Sequence, residues 1–130
     1  MSRRIRLAAA ALGLCWFAVP LVAHHGFELE YDKRKPVSGM GVISKVEWTN
    51  PHMRIYVDVT DAKGVVTTWN LELGSPNSVY RRGWTREDLK SGDKITFTAF
   101  GGREVLTRAV AEEITLADGR LFTGATGAPQ

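Results

Sequence analysis

Cysteine, histidine and long apolar runs are all scarce in this chain. The single cysteine, Cys15, lies in an apolar stretch near the N-terminus, so the rest of the chain has neither disulfides nor thiolate metal ligands. That stretch, residues 7–19, is shorter than the about 20 residues that a membrane-spanning helix needs. The chain has three histidines, and neither a paired-carboxylate motif nor a glycine-rich phosphate loop stands out in it. This leaves enzyme activity undecided and favours a binding role.

Residues 1–23 have the composition of a secretory signal peptide. Arg3, Arg4 and Arg6 precede the apolar run, and Ala23 provides a small residue before a polar segment. We predict cleavage after Ala23, with cleavage one residue earlier as the alternative. The protein is then periplasmic or secreted, with no stable membrane anchor. Loss of three arginines lowers the Lys and Arg count from 17 to 14, equal to the 14 Asp and Glu. A neutral mature chain does not favour nucleic acid as a partner.

The remaining chain, about 107 residues, is long enough to bury one core without help from cross-links. We therefore divide the sequence into four parts and expect a monomer. The parts are a signal peptide over 1–23, an extended N-terminal arm over 24–36, an OB-like β-barrel domain over 37–124 and a flexible tail over 125–130.

Polar and apolar residues alternate with the period of a β-strand in several segments of the predicted domain. A first strand is predicted over 37–49, with Met40, Val42, Val46 and Trp48 facing inward. In the second and third strands, the predicted inward residues are Met53, Ile55, Val57, Val59, Val65, Thr67, Trp69, Leu71 and Leu73. A hairpin turn over Asp61–Gly64 joins these two strands.

The second half of the predicted domain begins with a short helix. Ser75 is a suitable N-cap, Pro76 suits the first helical position and Gly83 suits the position after the end, which predicts a helix over Pro76–Arg82. A fourth strand follows, with Ile95, Phe97 and Ala99 facing inward. We predict a turn at Gly101–Gly102 and then a fifth strand over 104–116, with a bulge near 108–111. A short tail strand over Leu121–Phe122 comes after the Asp118–Gly119 turn.

This order of elements predicts an all-β protein with a short helical insert. Three meandering strands, a helix and two more strands match a small five-stranded OB-like barrel. Another small Greek-key barrel or an open meander are the alternatives. An OB barrel hosts many functions and therefore does not identify one.

Four stretches of the chain carry a family resemblance: "HHGFELEYD", "VEWTNPH", "ELGSPN" and "RRGWTREDLKSGD". Together and in this order they resemble the small exported bacterial proteins known as domain of unknown function 6152. The resemblance covers most of the predicted mature chain. It implies a secreted single domain with a histidine pair directly after the leader, and it implies no activity, since none is established for the family.

The histidine pair follows the predicted cleavage site and suggests a metal site. Cleavage after Ala23 frees the α-amine of His24, which can then chelate an ion together with its imidazole and that of His25. His52 is the remaining imidazole of the chain and completes the candidate set. Nitrogen ligands of this kind bind Cu(II) most strongly among divalent first-row ions, so copper is the expected cofactor. Alternatively, the pair is a disordered terminus and His52 an ordinary loop residue.

A metal-free binding module is the second hypothesis. It places a ligand groove, or a contact surface for another periplasmic protein, around the helical insert. In the alternative reading, Trp84 fills the barrel and the arginines pair with nearby acids. The candidate groove residues are Glu72, Asn77, Tyr80, Arg81, Arg82 and Trp84.

Overall fold

The computed structural model describes Gly26 and residues 29–123. The predicted leader, His24, His25 and the predicted tail lie outside the described residues. Six strands and one helix follow one another: β1 (Tyr31–Glu47), β2 (Arg54–Thr60), β3 (Val66–Glu72), α1 (Pro76–Arg81), β4 (Lys94–Gly102), β5 (Arg108–Leu116) and β6 (Leu121–Thr123). In this part of the chain, no helix has the length and apolar character needed to cross a membrane.

Strands β1 to β5 form a closed ring. β1 pairs with both β2 and β4, β2 continues to β3, and β4 continues to β5, all antiparallel. A short parallel pairing between β3 and β5 closes the ring, and β6 adds to β5 from outside. Closure leaves few free strand edges, which is how a small β domain avoids pairing with other chains. The predicted number and order of strands are confirmed.

Strand β1 is longer than predicted and carries a bulge. It begins at Tyr31, so the second half of the predicted arm belongs to the strand. The described residues of the first half, Gly26, Leu29 and Glu30, are helical rather than extended. Its pairing with β2 shifts between Ile43 and Lys45, so that Ser44 is an extra residue. The bulge reverses which side chains face inward. Ile43 is therefore fully buried, whereas Met40 (72% exposed) and Val42 (39% exposed) face outward, against the prediction.

The core lies inside the ring, as the alternation in the other strands predicts. Trp69 is half-buried and contacts Phe97, with ring centroids 6.1 Å apart. Val65 was predicted to face inward but is exposed. The buried apolar side chains of β2, β3 and β4 and of the residues next to them are those predicted: Met53, Ile55, Val57, Leu71, Leu73, Ile95, Phe97 and Ala99.

The predicted turn at Gly101–Gly102 is wrong. Both glycines are buried at the end of β4, and the turn follows them over residues 103–107. A Cβ atom on Gly102 would lie 2.7 Å from the carbonyl oxygen of Val105, so only glycine fits where the backbone turns back. β5 consequently begins at Arg108, and its bulge lies at Glu112, just past the predicted position.

Helix α1 forms where its capping residues predict. Ser75 Oγ accepts a hydrogen bond from Ser78 N at 3.3 Å, Pro76 begins the helix, and Gly83 adopts a φ of 85° just past its end. The helix ends at Arg81, one residue before the predicted end. The segment from Pro76 to Trp84 is called the helical insert below.

Candidate functional site

A buried carboxylate at the end of β3 is contacted by polar side chains from three other strands and a loop. Glu72 is 7% exposed, and its Oε2 accepts hydrogen bonds from Tyr31 Oη (2.8 Å), Arg54 Nη2 (2.8 Å) and Arg108 Nη2 (3.2 Å). Its Oε1 lies 2.8 Å from His52 Nδ1. These five residues are called the Glu72 cluster. Because Oε2 has three donors, two of them cationic, the buried charge is compensated.

Strand pairing explains why these side chains meet. Arg54 and Glu72 are directly opposite in the β2–β3 register, on the outer face of the ring. The parallel pairing of β3 with β5 sets Asn70 opposite Arg108 and so brings the Arg108 guanidinium to the same carboxylate. Tyr31 enters at the start of β1, where it pairs with Gly102. The cluster therefore lies at the point where the ring closes.

Tyr31 acts as a neutral donor in the cluster. Its side chain is buried, and this burial raises the pKa of the phenol well above its usual range, with the hydrogen bond to Glu72 and its negative charge acting in the same direction. The Arg108 guanidinium lies over the ring at 5.5 Å. The phenol consequently keeps its proton at physiological pH and fixes the carboxylate orientation.

His52 lies at the edge of the cluster with its side chain 52% exposed. Nδ1 faces a carboxylate oxygen at 2.8 Å, so Nε2 is the ring nitrogen outside that contact. A carboxylate behind Nδ1 is the usual support for an imidazole that binds a metal through Nε2. Within the described residues, however, no group of three or more histidines, cysteines or acids is placed to hold a metal ion.

An open groove lies beside the Glu72 cluster, on the outer face of β2 and β3. Its volume is about 550 Å³. Arg54 and Arg108 are its charged lining residues, and the other lining residues are polar or apolar. We call it the β2–β3 groove, and it is lined by Arg54, Tyr56, Thr68, Asn70, Val105, Thr107 and Arg108.

The structure does not bring Glu72 together with the helical insert, although sequence reasoning grouped them. The described contacts of the Glu72 side chain all go to members of the Glu72 cluster. Trp84 is buried and packs edge-on against Phe122 with ring centroids 5.0 Å apart. The Arg120 guanidinium covers its ring at 5.5 Å. Trp84 therefore fills the core, in agreement with the alternative reading of that residue.

The other residues of the predicted groove have packing or surface positions. Tyr80 is half-exposed and contacts Trp48 with ring centroids 5.7 Å apart. Arg82 Nη1 donates to the carbonyl oxygen of Thr123 at 2.9 Å, so it ties the insert to β6. The remaining two, Asn77 and Arg81, are exposed on α1.

Sequence reasoning missed Tyr31, Arg54 and Arg108 as members of the site. A signal for Arg54 was present, because the hairpin turn over Asp61–Gly64 sets a register in which Arg54 faces Glu72. Opposite charges directly across an antiparallel pair attract each other. No comparable signal marks Arg108, since its approach depends on the closure between β3 and β5.

Comparisons with known proteins support the fold and a family. Among solved structures, the crystal structure of the mitochondrial single-stranded DNA binding protein Rim1 from S. cerevisiae is similar, with a TM-score of 0.50 and 13% sequence identity. The match covers 66% of this chain and 97% of that one. At this identity the likeness shows the fold alone, and it confirms the predicted OB-like architecture. No curated protein matches the chain.

The model of a family of unknown function, DUF6152, matches residues 12–110, which is most of the chain and includes the whole segment from His24 to Arg108. This is the family that the four sequence stretches resemble. The chain therefore belongs to DUF6152, a family of unknown function.

Proposed function

We propose that the protein is exported and binds Cu(II) through the N-terminus created by leader cleavage after Ala23, with His52 as a further ligand. The α-amine and imidazole of His24 and the imidazole of His25 supply three nitrogen ligands in this scheme. Such donors favour Cu(II) among the divalent first-row ions. The composition of residues 1–23 supports export, because a basic start, an apolar run and a small residue form a secretory leader.

The observation that carries the proposal is the contact of His52 with Glu72. Nδ1 lies 2.8 Å from Glu72 Oε1, and in this scheme the carboxylate beside Nδ1 leaves Nε2 as the ligand atom. Tyr31 and Arg54 in turn hold the carboxylate through hydrogen bonds of 2.8 Å each. An imidazole whose orientation is fixed by a buried carboxylate loses less rotamer freedom on binding a metal than a mobile one.

The length of the intervening chain is compatible with the proposal. Five residues lie between His25 and Tyr31, and a fully extended chain over these six steps spans roughly 20 Å at most. Leu29 and Glu30 are helical, which shortens that reach. The charge of the cluster acts against the proposal, since Arg54 and Arg108 repel a cation. Glu72 offsets one of these two charges. Copper affinity is therefore expected to depend on the terminal chelate first and on His52 second.

A Cu(II) titration of the processed protein, followed by calorimetry and electron paramagnetic resonance, tests the proposal. Three variants separate the ligands: a Gly-Ser extension before His24, His24→Ala and His52→Ala. The matched controls are a Gly-Ser extension at the C-terminus and Arg81→Ala, which changes an exposed side chain on α1. We expect at least a tenfold loss of affinity with the N-terminal extension and with His24→Ala, a smaller loss with His52→Ala, and no change in the controls.

Protons compete with copper for imidazole and amine nitrogens, so the affinity should also fall on acidification. The proposal is wrong if the N-terminally extended protein binds copper as tightly as the native one, or if neither binds below about 10 μM. Retained affinity in His52→Ala would remove His52 from the site and leave the terminal chelate.

The β2–β3 groove favours a second candidate function, a metal-free module that binds a small ligand or a periplasmic partner. Ligand sites are usually concave, partly apolar and furnished with a few oriented polar groups, and the groove has these properties. In this candidate function, the groove lies on the outer face of β2 and β3 and not around the helical insert, where the sequence placed it. It needs neither the N-terminal histidines nor a metal.

A further inference from the structure

We infer that the β2–β3 groove binds a small organic acid that carries hydroxyl groups, a sugar acid being the simplest example. The inference names the ligand chemistry of the metal-free candidate and does not depend on copper binding.

The charge of the groove lining indicates an anion. Two guanidinium groups, those of Arg54 and Arg108, line the groove, and no carboxylate is among the described lining residues. Guanidinium groups match carboxylates in shape and donor spacing, which makes arginine the usual partner of such ligands. Glu72 lies buried beside the groove and offsets one of the two positive charges, which leaves one positive charge for a monoanion.

The same carboxylate also holds both guanidiniums in position. Glu72 Oε2 accepts from Arg54 Nη2 at 2.8 Å and from Arg108 Nη2 at 3.2 Å, and the two side chains are only 25% and 29% exposed. Asn70 Oδ1 accepts from Arg54 Nη1 at 3.4 Å. Arginines fixed in this way lose little side-chain entropy when an anion arrives, so their contribution to affinity is retained.

The uncharged lining residues indicate a ligand with hydroxyl groups. Thr107 and Asn70 carry groups that both donate and accept, which is what an alcohol needs from its site. Tyr56 and Val105 add apolar surface against which the carbon skeleton of a sugar can pack. The volume of about 550 Å³ lies in the usual range of small-molecule sites.

An acidic residue next to the groove argues against a long polyanion. Asp58 accepts a hydrogen bond from the lining residue Thr68 at 2.6 Å, whereas the charge of Glu47, which accepts from the lining residue Tyr56, is offset by Lys45 at 2.6 Å. A small monoanion over Arg54 and Arg108 avoids Asp58, whereas a strand of phosphates running along the groove meets its repulsion.

Two neighbouring residues of the β4–β5 turn provide a matched test. Val105 lines the groove and is 53% exposed, whereas Leu106 is 81% exposed and is not a lining residue. Both positions tolerate a polar side chain because neither is buried. Val105→Glu adds a negative charge inside the groove, and Leu106→Glu adds the same charge outside it.

The experiment is a titration of the protein, purified as the cell produces it and freed of metal by a chelator, with galacturonate. Galactose and inorganic phosphate are titrated in parallel, and amide chemical shifts report the binding position. We expect saturable galacturonate binding with a dissociation constant of about 0.1–1 mM and shifts centred on β2, β3 and the β4–β5 turn. Val105→Glu should weaken it at least tenfold, and Leu106→Glu should leave it within twofold.

Several outcomes overturn the inference. Equal affinity for galactose would show that the ligand carboxylate does not contribute to binding. Equal affinity for phosphate would show that the organic skeleton of the ligand does not contribute. Equal behaviour of Val105→Glu and Leu106→Glu places binding elsewhere, and absence of saturation below about 10 mM removes the site. Displacement of galacturonate by a short single-stranded oligonucleotide assigns the groove to nucleic acid. None of these outcomes bears on the copper titration, so the two proposals fail separately.

Discussion

The Glu72 cluster and the helical insert each contain one tyrosine and two arginines, but these residues have different roles in the fold. In the insert, Trp84 fills the core and Arg82 ties the insert to a backbone carbonyl oxygen. In the Glu72 cluster, donors from distant parts of the chain converge on one buried carboxylate beside a groove. Residues adjacent in sequence thus stabilise the fold, and residues brought together by ring closure form the candidate site.

The difference has an energetic side. Packing Trp84 against Phe122 lowers the free energy through burial of apolar surface. Placing a carboxylate and two guanidiniums in partly buried positions costs desolvation energy. The contacts among these three groups offset that cost only when all three groups are present. A cluster of that kind contributes less to stability than an apolar one of similar size, which is consistent with a role in binding.

Trp84→Ala is expected to have the largest effect on stability. Truncation leaves a cavity next to Phe122, and we expect a loss of about 3–5 kcal/mol in the free energy of unfolding. Denaturant unfolding followed by circular dichroism measures it. Trp69→Ala is the matched comparison, because Trp69 is only half-buried and its loss should cost less. A larger effect in Trp69→Ala would show that the burial of Trp84 does not make the helical insert a main source of stability.

Glu72→Ala should destabilise the fold by a smaller amount, about 2 kcal/mol. Removal of the carboxylate leaves Arg54 and Arg108 facing each other without their shared acceptor, and their partial exposure limits the cost. The same unfolding measurement applies, with the exposed Glu87→Ala as the control. No difference between the two variants would mean that the cluster has no energetic connection with the fold.

Asp88→Asn should have a still smaller effect that depends on pH. Asp88, just after the insert, accepts hydrogen bonds from Arg120 and from Thr85 N and Oγ1. The bond from Arg120, followed by those from Thr85, lowers the pKa of the carboxyl to about 2. Since the folded pKa lies below the unfolded one, the stabilisation is present above about pH 4 and is lost as the pH falls toward 2.

Melting temperatures measured between pH 7 and pH 2 test this. Asp88→Asn should melt a few degrees below the parent at pH 7, and the difference should close with acidification. Glu87→Gln, at a neighbouring exposed position, is the control and should follow the parent at every pH. A difference that stays constant down to pH 2 would show that the ionised carboxylate is not the source of the stabilisation.

Single-stranded DNA should produce no measurable effect at all, although the fold resembles that of a protein that binds it. The predicted mature chain is neutral, so few counterions are released on binding and little affinity results. Fluorescence anisotropy with a labelled oligo(dT) measures this at low and high salt. Micromolar, salt-dependent affinity that Val105→Glu abolishes would make the groove beside the Glu72 cluster a nucleic-acid site.

Local patterns predicted most of the fold. Alternation in β2 identified Met53, Ile55 and Val57 as core residues, and the capping residues Ser75 and Gly83 located α1. These features depend on neighbours within a few residues, which is why the sequence alone reveals them.

The predictions were wrong where backbone geometry or long-range strand pairing determines which side chains face inward and which ones meet. A single bulged residue, Ser44, exchanged the faces of β1, and a period of two contains no information about bulges. Gly101 and Gly102 resemble a turn, but both belong to the end of β4, where close backbone contacts require glycine at position 102. The convergence of Tyr31 and Arg108 on Glu72 needs the β1–β4 and β3–β5 pairings, which connect residues about 40 apart or more.

Mass spectrometry of the protein isolated from its native host, under non-denaturing conditions, tests the central claim most directly, because it reports the first residue and any bound metal together. The account predicts a mature mass that begins at His24, or less readily at Ala23, with one copper ion that is retained by the native protein and lost by a chain extended at its N-terminus. A mass that begins at Met1, or a processed protein that holds no copper even after Cu(II) is added, would contradict it.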